Sequence, residues 1–129
     1  MSYYSEAELA FIASQQLGRL GTTGPNGQPH VSPVRFRLNQ ETGAFEIGGR
    51  NIWSTKKWRD VQKTGKGAFV LDDVAEGRAR GIEVRGPAET VGEGDDAFIR
   101  VTPRRIASWG IDTGSYKANI RSVGNQPAS

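Results

Sequence analysis

The chain has 129 residues, 36% hydrophobic and 24% charged with 17 glycines, a composition that fits one soluble globular domain and leaves too little for two cores. Seventeen Lys and Arg against fourteen Asp and Glu give a formal charge of +3, mildly basic and far from the density of a nucleic-acid-binding tail. There is no cysteine and His30 is the only histidine, so disulfides, thiolate nucleophiles, thiolate zinc sites and two-histidine metal motifs are excluded.

Ser5-Glu6-Ala7-Glu8 reads as a capping box, in which the Ser5 hydroxyl and the Glu8 carboxylate each satisfy an orphaned amide. Leu9, Ile12 and Leu17 then recur at helical spacing, with Gly18 placed to end the helix. Beyond it the period changes to two. Residues 19–23 are expected to form a short strand, followed by the turn Gly24-Pro25-Asn26-Gly27, where proline presets one dihedral and Asn-Gly takes positive ones. Over 29–38, Val31, Pro33, Arg35 and Arg37 alternate with Ser32, Val34, Phe36 and Leu38; a turn over 39–43 leads to a third strand at 44–48. Ser54 or Thr55 is placed to cap a short helix reaching about residue 64, with Trp58 and Val61 buried and Gly65 as its stop. Residues 67–71 form a compact apolar strand. Residues 81–86 alternate and continue over 88–91 past Pro87, which marks a bulge or an edge, and 98–109 reads as a last long strand kinked at Pro103. About six strands with tight turns and two short helices give a mainly β fold, an antiparallel barrel over residues 1–112. Residues 113–129 read as a polar tail, ordered only where it docks.

The stretch that speaks most to chemistry is 48–59. Gly48 and Gly49 end a strand and let the backbone be approached closely. Arg50 follows, and Ser54, Thr55, Lys56 and Lys57 crowd a helix start. Lysines there oppose the helix dipole. The conflict disappears if amides, hydroxyls and ammoniums all face a phosphate. From Arg50 to Lys66 there are six basic residues and one acid, Asp60. A solvated basic helix face accounts for the same residues, and both readings stand. His30, in a strand after Pro29, is either a satisfied structural residue or a donor to a cofactor ring or substrate. Arg35 and Arg37 share a face, which is the wet side of a strand or an anion-lined groove. Trp58 is expected in the core, Trp53 is a lid or an interface residue, and Trp109 seals an interface or a ring pocket. Dinucleotide and phosphate-loop glycine motifs are absent. Asp72-Asp73 and Asp95-Asp96 are adjacent residues whose side chains diverge, so neither is an acid/base dyad. Thr102-Pro103-Arg104-Arg105 lacks the interleaved aromatics of a nucleic-acid stacking platform.

Four motifs in order carry a family resemblance. Leu17-Gly18-Arg19-Leu20-Gly21-Thr22-Thr23 with Pro25-Asn26-Gly27-Gln28-Pro29-His30-Val31-Ser32-Pro33-Val34 resembles the opening hairpin of the pyridoxamine 5′-phosphate oxidase-like split β-barrel proteins. Thr55-Lys56-Lys57-Trp58-Arg59-Asp60-Val61 resembles their phosphate-binding helix start, and residues 82–89 their Val-Arg-Gly-x-Ala-Glu strand. Residues 99–110 are similar to the last strand of the actinobacterial branch that uses the deazaflavin coenzyme F420.

The resemblance implies a homodimer with the cofactor in a groove between subunits. It places the phosphate at Thr55, Lys56 and Lys57, with Ser54 and Arg50 nearby. His30, Val31, Ser32, Pro33, Val34 and Arg35 lie along the ring, Gly48 and Gly49 face the ribityl chain, and Arg80, Gly81 and Trp109 come from the partner. It implies a hydride transfer from reduced F420 to a small conjugated organic substrate, quinone- or enone-like, with FMN in the same groove as the alternative cofactor and a non-catalytic cofactor-binding protein as the alternative role. No catalytic side chain is assigned and no metal is expected, because the cofactor carries the chemistry. Pyridoxamine phosphate oxidases have a C-terminal substrate-binding extension with Arg and His; residues 119–129 here hold no histidine and His30 is the only one, so their activity is not expected. With no apolar run of about eighteen residues and no leader pattern at the polar N-terminus, a cytoplasmic protein with neither membrane nor nucleic acid as partner is expected.

Overall fold

The structure, a computed structural model, describes residues 3–111 and 118–124. Helix α1 (Glu6–Ala13) begins where the capping box puts it: the Glu8 amide donates to the Ser5 hydroxyl at 3.1 Å and the Ser5 amide to the Glu8 carboxylate at 2.9 Å. It ends earlier than its apolar spacing predicts. Leu17 is left 52% exposed, and Gly18 opens a strand, at a position where a side chain would collide with the Phe69 ring.

Strands β1 (Gly18–Thr23) and β2 (Pro29–Val34) form the expected hairpin, but in its turn only Gly27 takes a positive φ, 86°, while Asn26 does not and its side chain accepts the Gln28 amide at 3.1 Å. In β2 the odd-numbered residues face out and the even-numbered ones turn inward. The run 29–38 is nevertheless not one strand. It breaks at Arg35 and Phe36 and resumes as β3 (Arg37–Asn39), which pairs with β4 (Ala44–Ile47). A 3-10 turn (Ile52–Ser54) leads into helix α2 (Lys56–Thr64), capped by Thr55 and stopped by Gly65 at φ 69°. Then come β5 (Lys66–Ala75), β6 (Arg78–Val91), β7 (Phe98–Val101), β8 (Arg105–Trp109) and β9 (Asn119–Ser122).

The strand order is β2-β1-β5-β6-β7-β4-β3, with β8 on β6 and β9 on β8, every pair antiparallel. β6 belongs to two sheets. Its residues 81–85 pair with β8 and its residues 88–91 with β7. Between them the 102–104 connection crosses directly over Gly86, whose missing β-carbon leaves room for the Thr102 carbonyl. The crossing is fastened by the Thr102 amide on the Pro87 carbonyl and the Arg104 amide on the Arg85 carbonyl, both 2.9 Å. Pro103 therefore separates two strands and does not kink one. The result is a mainly β split barrel with two α-helices and, among the described residues, nine strands where about six were expected. The three extra arise at the break after β2, at Pro103, and from β9, which lies in the stretch read as a tail.

Phe45 and Phe69, 4.7 Å apart, fill the barrel's middle, and Phe36 meets both edge-on at 5.7 and 5.3 Å. At one end of this core Glu8 is 1% exposed. Its carboxylate accepts Arg121 at 2.7 and 3.1 Å and the Ser108 hydroxyl at 2.7 Å, tying α1 to β8 and β9. Burial works to raise the Glu8 pKa, but hydrogen bonds from Arg121, Ser108 and the Ser5 amide outweigh it and hold the carboxyl below its ordinary 4.5. A depressed carboxylate pKa contributes stability that is complete above the unfolded value and lost as pH falls through the folded one. Thermal unfolding should therefore shift down as pH drops below 4.5. Glu8→Gln should cost about 2 kcal/mol at neutral pH and flatten the acid limb. Parallel pH profiles for the two proteins would refute this.

Candidate functional site

The end of β2, the loop after β4 and the start of α2 meet around a cavity of about 210 Å³, lined by Pro33, Val34, Arg35, Gly48, Gly49, Arg50, Ile52, Thr55 and Lys57. Its shape follows from local sequence. A β-carbon on Gly48 or Gly49 would meet nothing within 4 Å, so both positions open onto free space. Asn51, at φ 55°, then turns the chain into the 3-10 turn. That turn is held by the Ile52 amide on the Gly49 carbonyl at 3.2 Å and the Ser54 amide on the Asn51 carbonyl at 2.9 Å. The Thr55 hydroxyl donates to the Ile52 carbonyl at 2.6 Å and accepts the Trp58 amide at 3.3 Å, so it organises the helix start and its polar capacity is largely used. Trp58 and Val61 anchor α2 in the core, as their spacing predicts.

The two lysines at this helix start differ. Lys56 pairs with Asp60, one turn on, at 3.0 Å. Asp60 is 2% exposed and also accepts the Thr22 hydroxyl at 2.9 Å. Burial pushes the Asp60 carboxyl up, but hydrogen bonds from Lys56 and Thr22 and the Lys56 charge bring it below its ordinary 3.8. Lys57, Arg35 and Arg50 have no ion pair among the described residues, and no acid lines the cavity they surround. Three uncompensated cations beside a helix start make a place for an anion. Arg37, by contrast, is paired with Glu46 at 2.7 Å and lies 5.1 Å over the Phe98 ring.

Of the residues singled out in the sequence, Pro33, Val34, Arg35, Gly48, Gly49, Arg50, Thr55 and Lys57 come together on the cavity. His30, Val31 and Ser32 lie earlier on β2, outside its lining. The Ser54 hydroxyl is spent on the Asn51 carbonyl at 2.8 Å. Lys56 is held by Asp60, and the Trp109 indole lies against Gly81 on the neighbouring strand. Sequence reasoning passed over Ile52, the buried apolar wall of the site, whose only signal was a lone aliphatic side chain between Asn51 and Trp53. Asp72 is paired with Arg19 at 2.6 Å, and Asp73 with Arg80 at 2.7 Å and Gln15 at 2.8 Å, so neither is free for acid/base work. Among the described residues no group of three or more His, Asp or Glu could hold a metal, and no helix is long and apolar enough to cross a membrane.

The outer face of the β2-β1-β5-β6-β8-β9 sheet runs beside this cavity. The register sets Pro33, Arg19, Val70, Glu83, Ala107 and Ile120 in one row and Val31, Gly21, Ala68, Arg85, Arg105 and Ser122 in the next. Val31, Val74 and Ile120 are 65%, 72% and 53% exposed on this face, with Arg19, Asp72, Glu83, Arg85 and Arg105 among them.

Fold and site together define a split β-barrel with a cationic cleft at its open side. The chain belongs to the pyridoxamine 5′-phosphate oxidase family, whose description matches residues 4–127. It is 36% identical to the 5a,11a-dehydrotetracycline/5a,11a-dehydrooxytetracycline reductase of Streptomyces rimosus subsp. rimosus, over 84% of each chain. Among solved structures, conserved hypothetical protein Rv2991 from Mycobacterium tuberculosis matches with a TM-score of 0.68 at 23% identity, over 84% of this chain and 86% of that one. The FAD binding protein from Mycobacterium smegmatis matches with a TM-score of 0.63 at 22% identity, over 84% of this chain and 97% of that one. These two likenesses are of fold.

One polar atom near the site is left over. The Ser32 hydroxyl is out of reach of solvent and has no hydrogen-bond partner among the described residues. Ser32→Ala should therefore leave the melting temperature of the ligand-free protein unchanged or slightly raised. A fall of more than about 4 °C would show that the hydroxyl is bonded in the folded protein.

Proposed function

We propose that this protein is a reductase that uses reduced coenzyme F420, bound with its phosphate at the start of α2, to reduce a small conjugated organic substrate. The observation that carries the reading is the set of three unpaired cations, Arg35, Arg50 and Lys57, around the open Gly48 and Gly49 backbone. The reductase from S. rimosus supports the reaction type. The FAD binding protein of the same fold supports a flavin-type cofactor, and FMN in the same cleft is the second reading, because a phosphate clamp is blind to the ring it carries.

The residues present fit such a group. Lys57, Arg35 and Arg50 neutralise the phosphate through charge-assisted contacts, and the free amides at the start of α2 add to them. Gly48 and Gly49 admit the linking chain where a side chain would fill the space. Val34 and Ile52 give the cleft an apolar wall that keeps water from the reacting region, and Ser32 offers an unused hydroxyl on the same strand as Val34. When bound, the cofactor supplies the hydride, while the chain's own contribution is binding, orientation and exclusion of water. The open sheet face supports a homodimer in which a second copy covers Val31, Val74 and Ile120 and walls the cleft from outside. A cytoplasmic location fits this role.

Fluorescence titration of the purified protein with F420 and with FMN tests the cofactor. Lys57→Ala should weaken the bound cofactor by about tenfold or more, and an unchanged affinity would reject the phosphate assignment. No saturable binding of either cofactor overturns the reading, and binding without reduction of any quinone or enone acceptor makes the protein a cofactor-sequestering one. For the assembly, analytical ultracentrifugation should give a dimer that Val31→Asp converts to monomer. A monomeric wild type would reject the dimer.

A further inference from the structure

The sequence presents Lys56 and Lys57 as equivalents at the head of α2, and the structure separates them. Lys57 lines the cavity. Lys56 is drawn back along the helix, its ammonium 3.0 Å from Asp60 Oδ1 and packed toward the β1–β2 turn, 3.3 Å from where a β-carbon on Gly24 would stand. The other Asp60 oxygen takes the Thr22 hydroxyl at 2.9 Å, and His30 of β2 adds a weaker attraction. Asp60 is 2% exposed, so its charge is screened by protein and not by water. It stands on the same first turns of α2 that carry Thr55 and Lys57 to the cavity. Stripped of Lys56, this carboxylate would set an unbalanced negative charge close to the anion.

Resting on the phosphate reading above, we infer that Lys56 acts on the bound anion through Asp60 and not by contact. It cancels the buried carboxylate, so the field in the cleft is left to Lys57, Arg35 and Arg50, while Thr22 ties the neutralised pair to β1. Lys56 and Asp60 are positioning residues, and Lys57 alone of the two lysines is a ligand.

The test is a double-variant cycle read by cofactor affinity and by melting temperature, with F420 or FMN as probe, whichever the wild type binds. Lys56→Gln should weaken binding by about tenfold and lower the melting temperature. The combined Lys56→Gln, Asp60→Asn protein replaces the ion pair with neutral amides and leaves Thr22 an acceptor. It should return to within about threefold of wild type and recover its melting temperature. A combined variant as weak as Lys56→Gln alone would make Lys56 a direct ligand and overturn the inference, as would wild-type affinity in Lys56→Gln. If Lys56→Gln does not fold, the combined variant against wild type decides: both leave the pair with no net charge, so compensation predicts agreement within about threefold, and a direct ligand predicts a loss of about tenfold. A wild type that binds neither cofactor overturns the phosphate reading and this assignment together, and is recognised because no substitution is involved.

Discussion

The barrel depends on one strand serving two sheets, and that strand can do so because position 86 carries no side chain. β6 runs through residues 78–91 without a break, yet its first part is laddered to β8 and its last part to β7. The connection between those two partners has to pass over it, and the Thr102 carbonyl does so where any β-carbon would stand. Once the corner is made, β7 brings β4 round to the far side, and the chain from β2 to β3 needs only Arg35 and Phe36 to span the seam. No ladder joins β2 to β3, so the seam stays open. The cleft lies there, between the end of β2 and the glycines that follow β4. Consecutive residues at the seam serve opposite masters: Arg35 lines the cleft, and Phe36 packs edge-on against Phe45 and Phe69.

Electrostatics at the site follow a division of labour set by burial. Carboxylates that lie out of water, Glu8, Glu46 and Asp60, each have a cation within hydrogen-bonding distance, as isolated buried charge requires. The cations left without partners gather where solvent or a ligand can reach them, and Arg35, Arg50 and Lys57 are such a group. Part of the chain's mild basic excess thus stands at the mouth of one cleft, where no carboxylate among the lining residues offsets it.

Much of this architecture was legible in the sequence, because it is local. The capping box at Ser5, the Thr55 cap and Gly65 stop of α2, the 24–27 turn and the in-out alternation of β2 are each decided by residues a few positions apart. The glycine pair and the helix start that frame the cleft are legible for the same reason. What local pattern does not carry is partnership across the chain. The breaks at Arg35 and Pro103 depend on which sheet each side pairs with, and alternation continues through both. The different fates of Lys56 and Lys57 depend on Thr22, 38 positions away, which backs Asp60. β9 had too little apolar character to read as a strand, and what fastens it to α1 is Arg121, 113 positions from Glu8.

That last contact reaches beyond stability into the order in which the molecule is made. The residues of α1 are synthesised early with their capping partners beside them, but the Glu8 carboxylate has its guanidinium only when β9 has been synthesised. Arg121 also takes the Tyr3 carbonyl at 3.0 Å, so when β9 docks it draws in the segment before the helix as well. The first helix is therefore fastened by a strand made more than a hundred residues later, and a proteolytic cut that releases β9 would take the guanidinium away from the buried Glu8 carboxylate.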